Sequence, residues 1–278
     1  MLSPNNLSTL IVEYEKSTSG DYTSLFDSKG GYPIITSKGW TLAKECKSSL
    51  QTTKSKGNKL TFSNREDYFK FLAQAILEEG NQLANNVQSI QKLVIRFNIE
   101  WTLAQKGKNG NFMDKSVNPI LFNSKNKMFD WLSNFFPTLI FCSASKTIFS
   151  CVETAYKAHT TTTQHSKAFQ ELAKSMDPNK AKKINSPMME RSDEHRLKTM
   201  KVMIQIKFSQ NPILTDWLAQ TTVELVEHTD NSFWGDGSKT AEKGNGSNYL
   251  GKILMNYRRT LNEADEYEGT DTAVDDLN

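Results

Sequence analysis

Apolar residues recur at helical spacing through most of this chain, and the runs they form are separated by short polar stretches. Tyr32–Thr36 reads as an edge strand and Trp40–Leu50 as a helix. Ser63 and Glu66 then have capping-box spacing ahead of Tyr68, Phe69, Phe71, Leu72, Ala75, Ile76 and Leu77, which predicts a helix closed by Gly80. A second amphipathic run, from Leu83 to Lys106, carries Ile90, Leu93, Val94, Phe97 and Trp101 on one face and ends in the loop Gly107–Asn111. Beyond it, Pro119–Phe122 reads as a strand. Helices are predicted over Ser150–Thr160, Ala168–Met176, Asn179–Ile184, Asp193–Ser209, Ile213–Thr221 and Asn248–Leu261. Leu225 and Val226 read as the end of a buried element. The pattern predicts an α+β protein, mainly helical, with short strands. Its divisions are a largely helical accessory region over 1–111, a main domain over 112–261 and a tail over 262–278.

Composition changes this picture little. A content of 37% hydrophobic and 23% charged residues is ordinary for a globular chain able to bury a core. The net charge of +3 is unevenly placed, because every charged residue from Glu263 to Asp276 is acidic. That tail is expected to be disordered. The three cysteines, Cys46, Cys142 and Cys151, have no metal-ligand spacing, and their odd number argues for a reducing compartment. No run has membrane-spanning length and the N-terminus lacks a secretory pattern. A cytoplasmic protein is expected, with delivery to a host cell by another kind of signal as the alternative. Neither a metal nor a cofactor is expected.

Chemistry concentrates in Leu225–Gly237, LVEHTDNSFWGDG. Asp230, Asn231, Gly235 and Gly237 supply turn chemistry, and the glycines flanking Asp236 let backbone approach a ligand closely. Trp234 offers a flat face for stacking. On the helix from Ser150, Glu153 and Lys157 share one stripe with Thr160, and Tyr156 lies at its edge. Glu227 and His228 read as satisfied buried hydrogen-bonding groups.

Several short runs occur in one order: Phe122–Ser124; Ser133, Asn134 and Phe135; Glu153; Lys207 and Phe208; Val226 and Glu227; Trp234 to Gly237; Asn248; Leu250 and Gly251; Met255; and Arg258. By these the stretch from Ile120 to Leu261 resembles the NADAR family, also called YbiA-like. The resemblance implies a YbiA-like domain and N-glycosidase activity on ribosyl compounds. The substrates it implies are ADP-ribose on guanine bases, including those of nucleic acid, and phosphoribosylated intermediates of riboflavin synthesis. It implies Glu153 as the principal catalytic carboxylate and Asp236 as the partner that positions ribose or water. Trp234, Asn134, Lys157, Asn248, Gly235 and Gly237 are the substrate-binding candidates, and Arg258 has at least as strong a structural role. Carboxylates suit this chemistry because breaking a ribosyl C–N bond develops oxocarbenium-like charge.

The chain departs from the family pattern as well. Lys157 and Thr160 stand where the family has Gln and Lys, and Ile184, Asn185 and Ser192 stand where a Gly-Arg pair and a Trp are usual. A weakened site would make this a passive binding module for ADP-ribose-like ligands or modified nucleic acid. A purely structural interaction protein ranks below both.

Overall fold

The computed structural model describes residues 53–54, 60–61, 65–80, 87–106, 118–160, 166–184 and 192–271. The expected strand at Tyr32–Thr36, the helix at Trp40–Leu50, Cys46, the Gly107–Asn111 boundary, Asn185 and residues 272–278 lie outside them. So does the beginning of the run from Leu83.

Short strands β1 (Thr53–Lys54) and β2 (Leu60–Thr61) pair antiparallel. Helices α1 (Arg65–Gly80) and α2 (Val87–Lys106) come after them, as their apolar periodicity requires. Phe69, Phe97 and Trp101 pack where the two meet, with Phe69 at 5.9 Å from Phe97 and 5.3 Å from Trp101. Hydrogen bonds also join helix α2 to later segments of the chain. Buried Asn98 donates through Nδ2 to the carbonyls of Leu139 (2.9 Å) and Gln210 (3.0 Å), while its Oδ1 accepts from the Leu139 N–H (2.8 Å). Asn211 donates to Thr102 Oγ1 at 2.8 Å.

The next elements are β3 (Ile120–Phe122), a 3-10 turn (Asp130–Leu132), and the antiparallel pair β4 (Ile140–Cys142) and β5 (Thr147–Phe149). Helices α3 (Val152–His159), α4 (Lys167–Lys174), α5 (Pro178–Lys183), α6 (Asp193–Ser209) and α7 (Pro212–Gln220) come next. Strand β6 (Leu225–Glu227) and helix α8 (Tyr249–Asp271) complete the order. The helix starts arise from capping side chains. Ser166, Asp177, Ser192 and Asn211 each accept a backbone N–H of the first turn. Helix α8 runs past Leu261 to Asp271.

The protein is α+β and mainly helical. Helix α3 packs against α4, α5 and α6, and α8 packs against β6, α6 and α7. Phe122, Trp131, Phe149, Leu172, Phe208 and Leu254 are fully buried among them. The element that matters for the site is the parallel pair β3–β6, in register Ile120↔Leu225, Leu121↔Val226 and Phe122↔Glu227. It brings the ends of two strands, distant in sequence, to the first turn of α3.

Candidate functional site

Glu153 sits in the first turn of α3, where its backbone N–H donates to the Asn134 carbonyl at 3.0 Å. This bond ties the helix start to the loop after the 3-10 turn. Lys207 secures the same loop from below. Fully buried, its Nζ donates to the carbonyls of Trp131 (2.6 Å) and Ser133 (2.9 Å). Across from the loop, the strand register places Glu227 beside Phe122, and the His228 N–H continues the ladder to Phe122 O at 2.8 Å. The two sides enclose a cavity of about 670 Å3, whose lining includes Asn134, Glu153, Tyr156, Lys182, Glu227 and Trp234.

Two buried carboxylates, Glu153 and Glu227, therefore line one cavity, whose lining also includes the exposed Asp230. Burial raises the Glu153 pKa, against the pull of Lys182 and Lys157. Burial also raises Glu227, to about 7, with the Glu153 and Asp236 charges adding to the rise and Lys182 opposing it. No hydrogen bond among the described residues offsets either cost. Both acids are thus held toward their protonated forms in the same space, and a charge on Glu153 raises Glu227 further, which is a setting for an acid and a base side by side. Asn134 adds a polar group that is only 5% exposed. Its Nδ2 lies 3.4 Å from Met200 Sδ, and its Oδ1 has no partner among the described residues. Trp234 and Tyr156 meet edge to face at 5.6 Å, forming an aromatic wall. Lys125, Lys182 and Lys239 supply positive charge to the lining.

Glu153, Asn134 and Trp234 are thus brought together, while Asp236, Lys157, Asn248, Gly235 and Gly237 lie outside the lining. The Asp236 carboxylate is 1% exposed and already saturated. It accepts from His228 Nδ1 (2.8 Å), Gly244 N (3.0 Å), Ser238 N (3.1 Å) and Thr229 N (3.3 Å). Burial alone would raise its pKa, but the donors at Gly244, His228 and Ser238 hold it below the ordinary value. Asn248, in the left-handed region at φ 48°, acts as a substitute strand partner. Its Oδ1 accepts from Glu227 N (3.0 Å) and its Nδ2 donates to Leu225 O (2.9 Å).

Gly235 is needed for close approach, because a Cβ there would lie 2.4 Å from the Glu227 carbonyl oxygen. Gly237 has φ +71°, which favours glycine. Together the WGDG turn and Asn248 brace the backbone that carries Glu227. Lys157 Nζ donates to the Lys182 carbonyl, and Thr160 closes α3 through its own hydroxyl bonds to the Tyr156 and Lys157 carbonyls. Arg258 donates to Thr221 Oγ1 and the Val223 carbonyl, both at 2.9 Å, which pins α8 to the segment before β6.

Glu227 and Lys182 are among the lining residues that sequence reasoning did not assign to the site. The strand-end position of Glu227 was a usable signal, since a side chain leaving a buried strand at its last residue emerges at the sheet edge. Lys182 had no such signal, because only the packing of α5 on α3 brings it near.

This α+β domain, with paired carboxylates in an aromatic-walled cavity, matches the NADAR domain model over residues 121–262, just over half of the chain. The chain belongs to the NADAR family. A riboflavin biosynthesis protein of Vibrio vulnificus (strain YJ016) is 40% identical over 74 residues, which is 26% of this chain and 19% of that relative's length. The NMR structure of the Escherichia coli protein YbiA is similar at 24% identity and a TM-score of 0.45. That match covers 54% of this chain and 86% of the YbiA chain. Among the described residues no helix is long and apolar enough to cross a membrane.

Proposed function

We propose that this protein is an N-glycosidase that hydrolyses the ribosyl C–N bond of an ADP-ribosyl compound, with ADP-ribose on a guanine base, free or in nucleic acid, as the substrate. The observation that carries the reading is the pair Glu153 and Glu227 in one cavity with Asn134 and Trp234. Family membership supports a glycosidase-type role. In this reading protonated Glu227 gives its proton to the leaving base nitrogen as the C1′–N bond breaks. The Glu153 carboxylate faces the developing positive charge and takes a proton from the water whose oxygen bonds C1′. The Asn134 carboxamide binds ribose hydroxyls, Trp234 and Tyr156 hold a ring, and the lysines of the lining meet the diphosphate. Asp236 acts by bracing the Glu227 turn rather than by touching the sugar.

A second reading has one observation in its favour. The Vibrio relative's name refers to riboflavin biosynthesis, so a phosphoribosylated intermediate of that route is the alternative substrate. Incubating the purified chain with ADP-ribosylated guanosine, ADP-ribosylated DNA and that intermediate, with products identified by mass, separates the two. Release of free base or ADP-ribose is expected from the first pair. Turnover should drop by roughly 10²–10⁴ in both Glu153→Gln and Glu227→Gln. Binding of every substrate without product from any of them would refute the hydrolase and leave a passive reader. For the free enzyme, kcat/KM should fall as pH rises through about 7, where Glu227 loses its proton.

A further inference from the structure

His228 lines the carboxylate cavity, and its ring meets an acceptor on each side. Nδ1 is 2.8 Å from Asp236 Oδ2, and Nε2 is 2.7 Å from the Thr240 carbonyl oxygen. An ionised carboxylate and a carbonyl can only accept, so both ring nitrogens donate and the ring is an imidazolium in this arrangement. The two bonds serve different ends. The first joins the set that saturates Asp236. The second reaches into residues 238–244, which form neither helix nor strand.

That segment begins and ends on one side chain, because Ser238 N (3.1 Å) and Gly244 N (3.0 Å) both donate to the Asp236 carboxylate. Ser238 Oγ donates to the Glu242 carbonyl at 2.7 Å and rounds the turn from within. Between its ends, the ties from the segment to the rest of the domain, among the described residues, are the His228 to Thr240 bond and the ion pair of Lys243 with Glu224 at 2.7 Å. Both side chains of that pair are 43% exposed, and an ion pair so open to water holds little. His228 is therefore the anchor of the middle of the segment.

The segment brings Ser238 and Lys239 into the cavity lining. Exposed charge in the lining consists of Lys125, Lys182 and Lys239 against Asp230 alone, a surplus that favours an anionic group. Lys182 rides on α5 with its ammonium 4.4 Å from the centre of the Phe135 ring. Lys125 stands in a turn set by Asn123, whose Oδ1 accepts from Lys125 N and Asn126 N. Lys239 pairs with no acid among the described residues, and its place is set by the anchored segment.

We propose, resting on the phosphate-bearing substrate of the glycosidase reading, that His228 is a positioning residue that holds residues 238–244 against the cavity so that Lys239 meets an anionic phosphate or diphosphate group of the ligand. The imidazolium acts through the backbone of Thr240 and does not touch the ligand, since both of its nitrogens are engaged.

The test follows the binding of inorganic pyrophosphate to the full chain by calorimetry at pH 6, using two replacements that each keep one of the two bonds. Asn offers an amide N–H near the position of Nδ1, and Gln offers one near that of Nε2. His228→Asn therefore serves Asp236 and releases Thr240, whereas His228→Gln does the reverse. The wild type should bind pyrophosphate saturably with a Kd of roughly 1 mM or below. His228→Asn should weaken binding about tenfold, and His228→Gln should keep most of it. A role confined to bracing Asp236 would give the opposite order. Lys239→Met, an exposed change, should weaken binding as much as His228→Asn does. The double variant should lose no more than either single one, because both act through one contact. Should His228→Gln not fold, the double-variant comparison decides. No saturable binding by the wild type, Gln weaker than Asn at position 228, unchanged affinity in Lys239→Met, or losses that multiply in the double variant would each overturn the proposal. None of these measurements needs turnover. Binding in the expected pattern with no product from any substrate refutes the glycosidase reading alone, while hydrolysis of ADP-ribosylated guanosine together with wild-type pyrophosphate affinity in Lys239→Met refutes the anchor alone.

Discussion

Replacing Glu227 by Gln should make the protein more stable at alkaline pH while lowering turnover by roughly 10²–10⁴. The reason lies in burial. Glu227 lies at the end of β6, recessed in the cavity, with its pKa raised from 4.5 to about 7 first by desolvation and then by Glu153. A carboxyl whose folded pKa is raised binds its proton more tightly when folded than when unfolded. It adds no penalty below pH 4.5. Stability is then lost as pH rises from there, and the full cost is present above about 7. A displacement of this size corresponds to about 3 kcal/mol at 1.36 kcal/mol per pKa unit.

Glutamine is neutral throughout and close in shape to the protonated acid. Urea denaturation of both proteins at pH 5 and pH 8 should therefore give similar midpoints at the lower pH. At pH 8 the variant's midpoint should be higher, by an amount worth up to about 3 kcal/mol with no change in the m-value. The matching rise in Tm at pH 8 would be roughly 5–10 °C. A variant that is less stable at pH 8, or displaced equally at both pH values, would refute the claim that Glu227 is a desolvated acid beside Glu153. Loss of activity together with this gain in stability is the combination a purely structural Glu227 would not produce.

Other substitutions separate scaffold from chemistry. Asp236→Ala should cost about 3–5 kcal/mol in urea denaturation, since it strips four donors of their shared acceptor. The wild-type contribution from Asp236 should fade as pH falls through its depressed pKa. Asn248→Ala leaves the Glu227 N–H and Leu225 C=O unpaired and should cost about 1–3 kcal/mol while also lowering kcat. Lys207, whose pKa burial lowers to about 7, binds its proton less tightly when folded. Wild-type stability should therefore rise between pH 7 and the ordinary lysine pKa of 10.5, and Lys207→Met should flatten that rise in thermal denaturation.

Much of this fold was legible because its helices are amphipathic and capped. Ser192, Asp177 and Asn211 sit where the pattern begins, and each bonds the first turn of its helix. The hairpin β4–β5 was not legible. Its strands are three residues long and buried on both faces, so Ile140–Cys142 and Thr147–Phe149 show no alternation to read. Within the site, Glu153, Asn134 and Trp234 stood out as chemistry-bearing residues, and they do face one cavity. Whether the turn after Trp234 points its acid at a ligand or at its own backbone depends on the positions of Thr229, Ser238 and Gly244. Those bonds belong to the closed turn and leave no local signature.

The WGDG turn makes sense as a support for the acid that precedes it. Asp236 N donates to the Glu227 carbonyl at 2.9 Å, and only a glycine at 235 permits that approach. Asn248 holds the Glu227 N–H from the other side, so both peptide groups of the strand end are fixed by residues later in the chain. This matters because a buried carboxyl is costly, and a loose strand end could swing outward to carry it into water, whereas hydrogen bonds on both sides of Glu227 hold that backbone in place. The departures at Lys157 and Thr160 fit the same logic. With Thr160 serving as the α3 cap and Lys157 tied to α5, the cation beside both acids is Lys182, which α5 delivers to the lining. Lys157 on α3 and Lys182 on α5 both oppose the rise at Glu153, while Lys182 also opposes it at Glu227.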